Sequence, residues 1–165
     1  MDKAKLDEKD IRILEILQKD CKTPIKNISR VVGSPITTVY AKIKRLQELG
    51  VIKEFKAILE PKSLGKNTTV YIFANVNYQE GEKGAKIERT IADRISKFPN
   101  VQEVHLISGE WDLLIKVRGD DIESVGEFIM GKLRNMEGIT KTMSSVVFET
   151  AKESTDMTLT GIKKE

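Results

Sequence analysis

The stretch GSPITTVYAKIKRLQELGVIKEF, residues 33–55, decides the fold. It opens on a Gly-Ser pair and a proline, continues with helical spacing and stops at Gly50. Val39, Ile43 and Leu46 fall on one face, with Ile36 and Leu49 near its edges. Ser34 is expected to cap this helix, with Pro35 at its first position. The outward positions are Thr37, Ala41, Lys44, Arg45 and Glu48. Short hydroxyls at the start, with cations further along, suit a helix whose first turn approaches base edges while later cations meet phosphates.

Two more helices precede it. In LDEKDIRILEILQK, Asp7 is a good N-cap and Asp10 stands three positions later, near a capping box. Leu6 and Ile11 occupy the staple positions. Ile11, Leu14 and Leu17, with Ile13 flanking, form an apolar stripe. In TPIKNISRVVG, Thr23 is the expected cap and Pro24 the first helical residue. Ile25, Ile28 and Val31 or Val32 form its inner face, and Gly33 ends it. Three helices within fifty residues, the last two joined at Gly33–Ser34, make a helix-turn-helix. VIKEFKAILEP then reads as an extended strand, a wing, leading to a linker at PKSLGKN.

The period changes after the linker. TTVYIFANVNY alternates, with Val70, Ile72, Ala74, Val76 and Tyr78 on one face. GEKG reads as a loop. Ile87, Ile91, Ile95 and Phe98 mark a helix from 85 to 98. VQEVHLIS and WDLLIKVRG are strands joined by a turn at Gly109–Glu110. DDIESVGEFIMGKLRNMEG is a helix capped by Asp120 or Asp121, and ITKTMSSVVFET a last strand. The order β-α-β-β-α-β is ferredoxin-like, so the fold class is α+β. The boundaries expected are 1–60 for the helix-turn-helix domain with its wing strand, 61–68 for a linker, 69–150 for the ferredoxin-like domain and 151–165 for a loosely held polar tail. In the strand from Val70 the other face carries Tyr71 and Phe73. Aromatics left bare on a sheet imply a partner, so residues 66–150 are expected to form a dimer.

Charge is unevenly placed along the 165 residues. Residues 1–60 hold 13 Lys and Arg against 9 Asp and Glu, a net of +4; the rest nets −1. Between Lys22 and Leu46 stand six cations (Lys22, Lys26, Arg30, Lys42, Lys44 and Arg45) and no acid. A solvated face usually mixes signs, whereas phosphate binding favours one sign. Cys21 is the only cysteine, which excludes a disulfide framework and a zinc knuckle and reads as a structural filler. His105, the only histidine, reads as an ordinary strand residue. Met130, Met136 and Met143 read as core or interface filler. With no signal-peptide pattern and no apolar run near a membrane span, a cytoplasmic location is expected.

The chain resembles the Lrp/AsnC, or feast/famine, regulators over nearly its whole length. LDEKDIRILEILQKD looks like the family's opening helix, VYAKIKRLQELGVIKEFKAIL like its recognition helix and wing, SGEWDLLIKVRG like its Gly-x-x-Asp turn, and MEGITKTMSSVVF like its final strand. The family usually has Arg where this chain has Lys22 and Lys42, and its cap serine falls at Pro35. The resemblance implies a regulator that reads double-stranded DNA at a pseudo-palindromic operator. The residues expected to contact DNA are Lys22, Lys26, Pro35, Thr37, Thr38, Tyr40, Ala41, Lys42, Lys44 and Arg45. It also implies homodimers, with tetramers or octamers beyond, and a small effector, typically an amino acid, near Ser108, Gly109, Glu110 and Asp112. A glycine turn offers N–H groups to a carboxylate, and the two acids suit an ammonium. On the residues alone, Gly109 and Asp112 equally make a plain hairpin turn, and Trp111 reads as a packing residue.

Two alternatives stand beside this reading. Some relatives of this two-domain shape decarboxylate sirohaem. Such an enzyme needs clustered Arg and His, whereas the second half offers only His105 and four arginines (Arg89, Arg94, Arg118 and Arg134). No triad, metal-ligand spacing or phosphate loop is present, so no catalytic residue, cofactor or metal is expected. An architectural DNA-binding protein would show no effector response.

Overall fold

A computed structural model describes residues 4–77 and 84–160. The chain divides into two compact units, residues 1–58 with 152–165, and residues 59–151. Tyr78 and most of the GEKG loop lie outside the described residues.

The first unit holds α1 (Glu8–Lys19), α2 (Ile25–Val32) and α3 (Ile36–Glu48). At α1 the capping box is complete: the Asp10 N–H donates to Asp7 and the Asp7 N–H to Asp10. Ile11, Ile13, Leu14 and Leu17 join Leu6, Ile28, Val39 and Leu46 in one core, with Ile25, Val32 and Ile43 against its rim. Val31 is exposed, which settles the alternative on α2 in favour of Val32. Gly33 takes φ +63°, the left-handed conformation that lets α2 end and α3 begin within two residues.

The caps of α2 and α3 differ from expectation. Pro24 and Pro35 themselves occupy the N-cap positions, and no side chain caps either helix. Thr23 donates its hydroxyl backward to the Asp20 carbonyl. Ser34 is buried and turned toward α1, where its hydroxyl accepts from Lys9 Nζ at 2.7 Å. Residues 51–61, expected as a wing strand, form no ladder. β-branched residues express a propensity, but a strand exists only where a partner strand pairs with it. The tail also differs. Gln18 donates to the Met157 carbonyl at 3.1 Å and accepts the Met157 N–H at 2.7 Å, and Leu159 packs on the three-helix core. Cys21 is exposed in the turn after α1 rather than a buried filler.

The second unit is a four-stranded antiparallel sheet of β1 (Thr68–Val76), β2 (Val101–Leu106), β3 (Leu113–Gly119) and β4 (Ile139–Val146), in the order β2-β3-β1-β4. This is the ferredoxin-like arrangement. Helices α4 (Gly84–Ile95) and α5 (Ile122–Phe128) contribute Ile91, Ile95, Val125 and Phe128 to a core with Val70, Ile72, Ala74, Val76, Leu113, Ile115 and Val117. Asp121, not Asp120, caps α5 in a capping box with Ser124. Residues Ile129–Leu133 continue as a wider π turn. Asp120 instead pairs with Lys66 at 2.6 Å. Of the methionines, Met136 is buried, while Met130 and Met143 are exposed.

Candidate nucleic-acid interface and effector turn

The faces of α3 divide as its periodicity dictates. Val39 and Leu46 are fully buried, so Thr37, Ala41 and Lys44 stand on the opposite side. Pro35, Thr37, Thr38, Tyr40, Ala41 and Lys44 are all exposed, as are Lys22 and Lys26. Tyr40 is 60% exposed, unusual for a tyrosine that packing could have hidden. The surface is therefore hydroxyl-bearing and neutral over the first turns of α3 and cationic at Lys44.

Lys42 and Arg45, both expected to contact DNA, have partners on α1. Lys42 Nζ donates to Asp7 and, at 3.0 Å, to Asp10. Arg45 donates to Asp10 Oδ2 at 3.1 Å and to the Lys5 carbonyl at 2.9 Å. The Asp10 side chain is wholly buried, and that of Lys42 is 17% exposed against 67% for Lys44. The reason is neutralisation: a carboxylate inside the three-helix unit needs cationic partners, and α3 supplies them. Burial alone would lower the Lys42 pKa, but hydrogen bonds to Asp7 and Asp10 and their charges outweigh it, so the pKa lies above the ordinary lysine value. Burial likewise works to raise the Asp7 pKa, yet the Lys42 hydrogen bond and the N–H of Asp10 leave it below the ordinary value.

Sequence reasoning missed the α1 side of this arrangement. Lys9, Asp7 and Asp10 brace the helix-turn-helix from behind: Lys9 holds Ser34 at the turn, and the two acids hold α3. One signal was present. The acid-free block from Lys22 to Leu46 faces an α1 start that carries acids at Asp7, Glu8 and Asp10.

In the second unit, Gly109 takes φ +125°, open to glycine and strained for other residues. Ser108, Gly109 and Glu110 are exposed, and Asp112 is half-buried. Asp112 is tied to the sheet: its N–H donates to the Ala74 carbonyl at 3.1 Å, its carbonyl accepts from the Ile107 N–H at 2.9 Å, and Oδ2 accepts from the Val76 N–H at 2.8 Å. One carboxylate oxygen thus anchors the turn to β1. Trp111 lies beside Phe73, with ring centroids 6.1 Å apart. Lys141 Nζ sits 4.8 Å from the Trp111 ring centroid and 3.8 Å from Glu110 Oε1. The packing role read for Trp111 matches this geometry.

Across the sheet, His105 Nε2 lies 3.2 Å from Glu103 Oε2, and Glu103 also accepts from the buried Lys116 at 3.2 Å. Arg118 is bonded to Gln102, and Arg134 to Thr142. Among the described residues, no group of three or more His, Cys, Asp or Glu is placed to hold a metal ion, and no helix is long and apolar enough to cross a membrane.

The chain thus joins a helix-turn-helix unit to a ferredoxin-like unit. Residues 6–53 match the winged helix-turn-helix DNA-binding family, and residues 70–157 match the Lrp/AsnC ligand binding domain. An uncharacterized HTH-type transcriptional regulator of Pyrococcus abyssi is 40% identical over 148 residues, 90% of this chain and 96% of that protein. The HTH-type transcriptional regulator FL11 of Pyrococcus furiosus is 35% identical over 152 residues, 92% and 95% of the two chains. The crystal structure of a Neisseria meningitidis transcriptional regulator in its L-Met complex superposes with a TM-score of 0.83 at 24% identity, covering 94% of this chain and 97% of that one. The chain belongs to the Lrp/AsnC family of transcriptional regulators. It carries the family's two parts, a DNA-binding helix-turn-helix and an Lrp/AsnC ligand-binding domain.

Proposed function

We propose that this regulator reads a preferred, pseudo-palindromic DNA sequence through the outward face of α3, and that an amino acid bound at the second unit tunes its assembly or DNA affinity. The observation that carries the first half is the exposed run Thr37, Thr38, Tyr40, Ala41 and Lys44, flanked by exposed Lys22, Lys26 and Arg30. Short hydroxyls and an alanine let a helix approach base edges, and the flanking cations neutralise phosphates. Lys42 and Arg45 are left out of this contacting set because α1 holds them. The names of the Pyrococcus relatives, HTH-type transcriptional regulators, favour regulation over catalysis.

The effector proposal draws support from the neighbour in complex with L-Met and from the turn itself. Ser108, Gly109 and Glu110 present exposed polar groups, while Asp112 keeps the turn against β1. A homodimer through the outer sheet face accords with half-buried Tyr71 and Phe73 and exposed Met143. The DNA-reading part is assigned to residues 1–60 and the regulatory part to 69–150.

The test is selection of a duplex from a random pool, followed by anisotropy titrations of selected and random duplexes at physiological salt. A large affinity ratio supports the proposal; equal affinities refute it and leave an architectural role. Thermal-shift screening of the twenty amino acids tests the effector, since a ligand specific for the native state raises the melting temperature by mass action. No shift with any of them refutes the amino-acid half. Sedimentation of the full chain as a monomer at micromolar concentration refutes the dimer.

A further inference from the structure

Across the α1–α3 contact, Asp7 and Asp10 face Lys42 and Arg45, and of the four only the Asp10 side chain is wholly buried. Asp10 accepts from the Asp7 N–H, from Lys42 Nζ and from Arg45, and none of its side chain is exposed. The cations it holds are two of the three on α3. Lys44, the third, lies two residues from Lys42 and one from Arg45, yet it pairs with Glu48, at 3.7 Å on the exposed surface. Neighbouring lysines of equal charge are therefore treated differently by the fold.

We propose that Asp10 is a specificity-determining positioning residue: by holding Lys42 and Arg45 against α1, it withdraws two cations from the DNA backbone and leaves α3 to meet DNA with its hydroxyl-bearing front and Lys44. This rests on the proposed reading of DNA by α3. Backbone contacts strengthen binding to every sequence alike, so each cation kept off phosphate lowers non-specific binding without touching base readout. The chain thus keeps the charge its buried carboxylate requires while sparing its recognition face an indiscriminate cation. A merely structural Asp10 would affect selected and random DNA equally and leave the salt dependence alone.

The experiment uses the full chain and measures affinity for selected and random duplexes across a salt series, with circular dichroism confirming the folded state. Lys44→Met and Lys42→Met remove the same charge from positions two residues apart. The expected result is that Lys44→Met flattens the slope of log affinity against log salt by about 0.9, one phosphate contact. Lys42→Met lowers the melting temperature and leaves that slope unchanged. Asp10→Asn, measured where it is folded, steepens the slope on random DNA by up to about 0.9 per freed cation and narrows the ratio of selected to random affinity. Equal flattening by Lys42→Met and Lys44→Met, flattening by neither, or an unchanged slope in folded Asp10→Asn overturns the inference. Should Asp10→Asn fail to fold, the lysine pair decides alone. Equal affinity of the unmutated chain for random and selected DNA is a separate result, and it overturns sequence reading itself.

Discussion

Replacing Asp10 by Ala tests how the first unit is held together. The carboxylate accepts a capping N–H from Asp7, a bond worth about 1 kcal/mol at a helix start. It also accepts from Lys42 and Arg45, and hydrogen bonds to charged groups contribute about 1.5–3 kcal/mol each. The Arg45 share is smaller, because that side chain is 45% exposed and screened by water. These contributions share one carboxylate and do not add. Removing one member of a buried ion cluster costs about 3–5 kcal/mol in total, since the remaining charges stay desolvated. A unit of this size has only about 5 kcal/mol to lose. Asp10→Ala is therefore expected to leave the three-helix unit marginal at 25 °C. The chain supplies its own control: Trp111 is the only tryptophan and belongs to the second unit. In urea, the far-ultraviolet circular dichroism should gain an early phase while the Trp111 fluorescence midpoint stays fixed. The triple variant Asp10→Leu, Lys42→Met, Arg45→Met should recover most of the loss, because a packed apolar trio dispenses with the desolvation cost. A loss below about 1 kcal/mol for Asp10→Ala would refute the reasoning, for a buried carboxylate so partnered cannot be that cheap to remove.

Three further outcomes follow from the same structure. Gln18→Ala should destabilise the first unit by about 1 kcal/mol, the scale of exposed side-chain-to-backbone bonds, and should expose the Met157 amide to faster hydrogen exchange; an unchanged exchange rate would mean the segment is not held there. Gly138→Ala should destabilise the second unit by about 2 kcal/mol, read as a lower Trp111 fluorescence midpoint, because residue 138 sits at φ +93° and its new Cβ would meet Ile91 Cδ1 at 2.5 Å; the helical phase should not move. Asp7 and Lys42 give the first unit a pH dependence of defined sign: the Asp7 contribution is fully present above its ordinary value of 3.8 and is lost as pH falls through its lowered folded pKa, while the Lys42 contribution is fully present below 10.5 and is lost as pH rises through its raised folded pKa. Asp7→Asn should blunt the acid limb of a stability-against-pH curve, and an unaltered limb would refute the pairing.

Local pattern alone determined much of this molecule. The stripe Ile11, Leu14 and Leu17, the stripe Val39, Ile43 and Leu46, and the alternation Val70 to Val76 each follow from residues a few positions apart, because the helical and strand periods are local properties of the backbone. Asp7 with Asp10 announced the α1 cap for the same reason, and Gly33 and Gly109 announced the turns that need positive φ. At α2 and α3 the local signal misled, since a proline at the cap position fixes the backbone and leaves the neighbouring Thr23 and Ser34 hydroxyls to find other partners. What only tertiary structure decided is where each polar group spends its charge or hydrogen bond. Lys42 and Asp10 are 32 residues apart, and Gln18 and Met157 are 139 apart. Whether a lysine on α3 faces solvent or a buried carboxylate depends on which helix crosses behind it. The sequence announces that six cations stand together; only the packed helices separate the exposed Lys44 from Lys42, because burial of Asp10 demands a counter-charge and proximity chooses the one that answers.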